Sequence, residues 1–235
     1  MNTEKFSNKA DNYAKGRPDY PVAVVDFIKT LIDEQPIIAD IGAGTGKFTK
    51  LIADLGYQVF AVEPNQDMFN QLQITVADVP NAKTVLATSE ATTLADQSID
   101  IITVAQALHW FDLEKFKVEC QRILKPNGWV VAMYNNGVDA RNNQAQHRID
   151  ATKDFFVQPV IKEFRTPITY NREKWLASAM SRSYSPLPDD ENYDEFMQQA
   201  IKTFELEAVH GLMHREIVTT VYAERVVDIL DEGIK

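Results

Sequence analysis

Cysteine is nearly absent: Cys120 is the only one in 235 residues. No internal disulfide can form, and cysteine alone cannot assemble a thiolate metal site. No apolar run approaches the roughly 20 residues that span a bilayer. The opening MNTEKFSNKADNYAKGRPDY lacks the apolar centre of a secretory signal. A cytoplasmic setting is therefore expected. Positive charge is also in deficit, with 24 Lys and Arg against 34 Asp and Glu, a formal net charge of −10. Such a balance repels phosphate backbones and anionic lipid on average. The densest basic stretch, FKVECQRILK, reads as an ordinary helix face. Neither nucleic acid nor a membrane is expected as a partner. Internal repeats and low-complexity linkers are missing too.

What is present suits one large domain, since 45% of the residues are hydrophobic. The first half alternates two periodicities. PIIADI, YQVFAVE, AKTVLAT, IDIITVA and WVVAMY read as five strands. Between them lie helical patterns: Phe48, Leu51, Ile52 and Leu55, closed by Gly56; then Met68, Phe69, Leu72 and Val76. A third helix, capped by Asp112, carries Phe116, Cys120 and Ile123 on one face and is stopped by Pro126 and Gly128. This rhythm predicts a parallel sheet with helices on both faces. After Asn136 it changes. A polar helix spans Asn142 to Val157, and FRTPITY reads as an edge strand because of Pro167. Helices follow near Lys174 to Met180 and Tyr193 to Phe204, and REIVTTVYAE completes the sheet. Residues 137–212 are expected to form a cap or lid inserted into a single domain of residues 1–235.

Glycine is sparse, nine in all, yet three of them crowd into five positions of IIADIGAGTGKFTKLI. A phosphate-binding P-loop needs glycine where Ile41 stands and Ser or Thr where Phe48 stands. A dinucleotide fingerprint needs its third glycine at Lys47. An adenosylmethionine loop, acidic-x-G-x-G-x-G, is filled by Asp40, Gly42, Gly44 and Gly46. Lys47 reads as a bystander on the first helical turn. Glu63, at the end of the second strand, can accept hydrogen bonds from two ribose hydroxyls, although NAD enzymes use an acid in the same way.

ADIGAGTGKFT, VFAVEPNQDMF, SEATTLADQSIDIITVAQALHWFD and RILKPNGWVVAMYNN occur in order. Together they resemble the class I adenosylmethionine-dependent methyltransferases, specifically the small-molecule type 11 group. The likeness covers residues 6–136, and FSNKADNYAKGRPDYP is similar to that group's N-terminal segment. The resemblance implies a Rossmann-like, doubly wound α/β sheet of seven strands in the order 3-2-1-4-5-7-6, the last strand antiparallel, with a helical cap insertion. It implies S-adenosylmethionine as methyl donor, S-adenosylhomocysteine as product, and a small-molecule acceptor for a monomer or homodimer.

Carried over by residue, Asp40, Gly42, Ala43, Gly44 and Gly46 would line the methionine end of the donor. Glu63, Pro64, Asn65 and Met68 would take ribose and adenine, with Ser89, Glu90 and Ala91 flanking the adenine. Gln106 and His109 would approach the sulfonium, and Tyr13 and Arg17 would close from an N-terminal segment, residues 1–30. Tyr13, Tyr20, Trp110 and Tyr134 are candidates for the acceptor pocket, with Arg182 and Tyr184 in its roof. His109 is either a catalytic base or a polar wall that takes no proton. Trp110 and Phe111 either stack on a flat acceptor or pack. Arg182 either binds an acidic acceptor or sits in a surface pair. His210 and His214 have helical metal-pair spacing, but Gly211 and strand-like sequence argue against a metal site. Two other readings of the chain are an RNA or protein methyltransferase and a non-catalytic adenosylmethionine-binding regulator.

Overall fold

The computed structural model describes residues 16–32, 35–137, 143–182 and 184–230. In chain order the elements are α1 (Val22–Lys29), β1 (Ile37–Ile41), α2 (Lys47–Asp54), β2 (Gln58–Val62), α3 (Gln66–Thr75) and β3 (Ala82–Val85). β4 (Ile99–Ala105), a short 3-10 turn (Leu108–Trp110), α4 (Leu113–Ile123), β5 (Leu124–Gly137) and α5 (Asn143–Phe155) follow. β6 (Val160–Tyr170), α6 (Arg172–Met180), α7 (Tyr193–Glu207), β7 (Met213–Arg225) and α8 (Val226–Leu230) complete the chain.

The seven strands form one sheet in the order β3-β2-β1-β4-β5-β7-β6. β1 to β5 run parallel to one another, and β7 lies antiparallel between β5 and β6. Strand order reverses between β1 and β4, and ligands of open α/β sheets bind at the carboxyl ends beside such a reversal. The central strands are apolar on both faces because helices cover both. In β4, Ile102 and Val104 join Phe116, Ile123 and Phe155 on one side, while Ile101 joins Val25, Phe48 and Leu72 on the other. Each large side chain removed from water in this way stabilises the fold by about 1.5–3 kcal/mol.

Several details differ from the periodicity reading. β5 begins immediately after α4, and its pairing with β4 jumps from Ile99–Leu124 to Ile101–Trp129. The Lys125–Gly128 stretch, with Pro126 lacking a donor, is thereby looped out as a bulge. β3 stops at Val85, and a Thr88–Ala91 bridge turns the chain beyond it. Helix α8 has no counterpart in the sequence reading; Val226 and Ile229 attach it to the core. β6 is the outermost strand, as Pro167 demands. It lies within 137–212, so that region supplies a sheet strand as well as α5, α6 and α7.

Candidate functional site

The turn from β1 into α2 is built around backbone that only glycine adopts easily. At Gly42, with φ of +71°, a Cβ would stand 2.6 Å from Cβ of Ala107 and 3.2 Å from the Phe111 ring. Phe111 is thus buried packing beneath the loop, its ring edge-on to Phe116. At Gly44, with φ of +58°, nothing among the described residues lies within 4 Å of the Cβ position. One glycine presses on protein and the other faces open space, where a ligand can approach the main chain. The amides of Gly42 and Ala43 both donate to the Val62 carbonyl, at 2.8 and 3.0 Å, strapping the loop to the end of β2.

Asp40 is fully buried under this loop. Its Oδ2 accepts from the Thr49 hydroxyl at 2.6 Å and its Oδ1 from the Thr103 hydroxyl at 3.0 Å. Burial nonetheless pushes its carboxyl up to about 6. Glu63 accepts the Gly44 amide on Oε2 and the Asn65 amide on Oε1, both at 2.8 Å. Burial, opposed by those amides and assisted by Asp40, pushes its carboxyl up to about 7. Each Glu63 oxygen keeps a further lone pair, which suits a ligand bearing hydroxyl donors. Pro64 follows, then Asn65 caps α3 by accepting the Met68 amide at 3.0 Å, with Met68 itself buried. Ser89 is buried in the turn after β3, and Ala91 is exposed. Glu90 Oε1 accepts the Asp112 amide at 3.0 Å, tying this turn to the start of α4.

The end of β4 is strained and polar. Gln106 has φ of +64°, unusual for a side chain of its size, while its amide donates to the Met133 carbonyl at 2.9 Å. Gln106 Oε1 and His109 Nδ1 are both buried and have no hydrogen-bond partner among the described residues. Orphaned buried polar atoms of this kind call for an occupant. The His109 ring lies 4.6 Å from Trp110 and 5.7 Å from both Tyr134 and His147, centre to centre. Burial, then Arg148, His147 and Arg17, push its pKa down to about 3. The imidazole is therefore neutral at ordinary pH and a weak base. Burial raises the Tyr134 hydroxyl well above the usual phenol range, against the effect of Arg148, whose guanidinium lies 5.5 Å from the ring centre.

Arg17 Nη2 donates to the Ser181 carbonyl at 3.3 Å, at the end of α6. Beside it, a Cβ on Gly16 would fall on the Ala177 backbone. Arg182 donates to the Tyr184 hydroxyl at 2.8 Å, so those two candidates are together. Tyr20 sits edge-on against Phe48 at 4.9 Å, packed on α2. Tyr13 lies outside the described residues. His214 Nδ1 is 3.0 Å from the Thr169 hydroxyl on β6, and His210 lies in the preceding turn with φ of +51°.

Five contributors escaped the motif reading. Lys47 is no bystander: its ammonium donates to the Arg17 carbonyl at 2.8 Å and pairs with Asp19 at 2.9 Å. Thr49 and Thr103 hold Asp40, and no spacing rule marks them. His147 and Arg148 stand beside His109. Arg148 shares the inward face of α5 with Thr152 and Phe155, a period that marks it as inward-facing.

Residues 39–132 match the family model described as a methyltransferase domain. An uncharacterised methyltransferase-like protein of Schizosaccharomyces pombe is 35% identical over 142 residues, 59% of this chain and 54% of that protein. An uncharacterised methyltransferase of Mycobacterium tuberculosis is 35% identical over 130 residues, 55% and 51% of the two chains. The chain thus spans about half the length of these curated relatives. A solved structure described as a putative type II methyltransferase, from Anaeromyxobacter dehalogenans, aligns with a TM-score of 0.64. It is 20% identical, covering 89% of this chain and 98% of that one, and shares the fold. The strand order, the glycine loop and these likenesses agree: residues 39–132 are similar to a methyltransferase domain, set in a sheet of the fold shared with that solved structure.

Proposed function

We propose that this chain binds S-adenosylmethionine at the carboxyl ends of β1, β2 and β4 and transfers its methyl group to a small molecule. The observation that carries the reading is the pairing of Gly44, open on its Cβ side, with Glu63, whose carboxylate already accepts the Gly44 amide. A nucleoside laid on that loop meets backbone without a side chain between, and Glu63 accepts its ribose hydroxyls. Asn65 and Met68 flank the base, with Ser89, Glu90 and Ala91 on its far side. Asp40 lies under the loop at the methionine end. The donor supplies an electrophilic methyl on a sulfonium, a reaction whose main demands on protein are alignment and exclusion of water.

Gln106 and His109 form the wall on the reacting side. With its pKa near 3, His109 suits the role of a neutral hydrogen-bonding wall better than that of a base. Trp110 and Tyr134 continue that wall. Arg17, Arg182 and Tyr184, gathered at the end of α6, form the roof together with the helices of 137–212. The net charge of −10 favours a small acceptor over RNA. Incubation with methyl-labelled donor and a crude cell lysate, separated by size afterwards, is expected to put label into the low-molecular-weight fraction. Label found only in RNA or protein overturns the small-molecule reading.

A further inference from the structure

An acidic chain has assembled a basic corner at its reacting end. Arg148 lies 5.5 Å from the Tyr134 ring centre and its Nη1 donates to Asn136 Oδ1 at 3.3 Å. His147, one residue earlier, sets its ring 5.7 Å from that of His109. Arg17 reaches the same corner from the N-terminal segment, held by the Ser181 carbonyl. Among the described residues, the charges that act most on His109 are those of Arg148, His147 and Arg17, all basic. Arg182 and Arg17 likewise act on Tyr170 nearby. At the centre stands His109 Nδ1, buried and without a hydrogen-bond partner among the described residues.

We propose that the acceptor is a small carboxylic acid, held as its anion by Arg17, His147 and Arg148 beside His109, and methylated on oxygen. The inference rests on the methyl-transfer reading above. Two physical arguments converge on it. An ammonium acceptor would meet like charge there, and losing its proton would need a base. His109 is too weak a base for that, and the Tyr134 hydroxyl holds its proton. A carboxylate arrives already ionised and is attracted. One of its oxygen lone pairs forms the new C–O bond, the methyl carbon–sulfur bond breaks with its electrons going to sulfur, and no proton moves. The products are a methyl ester and a neutral thioether.

The test uses the full chain saturated with S-adenosylhomocysteine. Benzoate, succinate and glutarate are titrated calorimetrically beside benzamide, succinamide and glutaramide. At least one acid is expected to bind tenfold or more tightly than its amide, with Arg148→Gln removing the preference while S-adenosylhomocysteine binding is kept. His147→Gln, at an exposed position, serves as the second variant should Arg148→Gln fail to fold, and is expected to reduce the preference at least threefold. With S-adenosylmethionine, the preferred acid is expected to yield a product that releases methanol in alkali. Equal binding of acids and amides, no binding by any acid, or a preference unmoved by the folded variants overturns the proposal. Failure to bind S-adenosylhomocysteine at all would instead sink the methyl-transfer reading beneath it.

Discussion

The ammonium of Lys47 donates to the main-chain carbonyl of Arg17 at 2.8 Å, so the first residue of α2 holds the segment that precedes α1. Its second partner, Asp19, is largely exposed, so that ion pair adds little by itself. The carbonyl contact fixes the chain between the glycine loop on one side and the end of α6 on the other. One lysine thereby couples the glycine loop to the end of α6.

Replacing Lys47 by Met removes both contacts and keeps the apolar stem. Local opening of residues 16–21 is expected to rise roughly fivefold, corresponding to about 1 kcal/mol, with little change in global stability. Hydrogen exchange at the Asp19 and Tyr20 amides measures it. Unchanged protection there would mean that the segment is held by Gly16 and Arg17 on α6 alone.

The two glycines separate folding from binding. Gly42→Ala collides with Ala107 and Phe111 and is expected to cost about 3 kcal/mol, combining overpacking with an unfavourable backbone. Gly44→Ala meets open space, and only its φ of +58° opposes it, at about 1 kcal/mol. Donor affinity is expected to fall tenfold or more in Gly44→Ala while the protein stays folded. Thermal melts alongside donor titrations check both, and a Gly44→Ala protein binding donor like wild type argues against ligand approach at that face.

Thr49→Val strips Asp40 of one of its two hydroxyl donors. The expected loss is about 1–3 kcal/mol, growing as pH rises above 6 because the charged carboxylate then suffers most. Thr49→Ser, which keeps the hydroxyl, is expected to lie within 1 kcal/mol of wild type by the same reasoning, to about that precision. Denaturant titrations at pH 5 and 8 distinguish the three proteins.

Glu63 makes unliganded stability depend on pH. Its carboxyl loses a proton near 4.5 in the unfolded chain and near 7 in the folded one, so the folded state holds more protons between those values. Stability is therefore expected to fall as pH rises from about 4.5 to 7, with Asp40 adding to the decline up to about 6. Glu63→Gln should flatten part of that slope. Hydroxyl donors from a bound ribose favour the ionised form, so donor binding is expected to tighten as pH rises through 7 and to release a proton. Calorimetry in buffers of different ionisation enthalpy counts that proton; no difference between wild type and Glu63→Gln would contradict the assignment.

The alternation of strands and helices and the glycine turn were legible because they rest on local rules, whereas the sheet order came from the family resemblance. Alternating periods mark β1 to β5, and Asp40, Gly42, Gly44 and Gly46 carry a spacing that physical chemistry restricts. Glu63 followed from its place at the end of β2. The bulge at Lys125–Gly128 was hidden because it depends on a jump in pairing with β4, a contact between distant segments. Thr49 and Thr103 were hidden for the same reason: nothing near either residue in the chain says that both hydroxyls meet one carboxylate. Lys47 was misread because an exposed helix-start lysine has no local signature for a partner 30 residues away. Arg148 had a signal in the inward period of α5, though an arginine on that face invites neglect.

The most direct test of the central claim is a parallel calorimetric titration with S-adenosylmethionine, S-adenosylhomocysteine and NAD. One equivalent of each adenosyl sulfur compound is expected to bind, NAD is not, and Glu63→Ala should weaken the binding at least tenfold. Binding of NAD without S-adenosylmethionine would contradict the account.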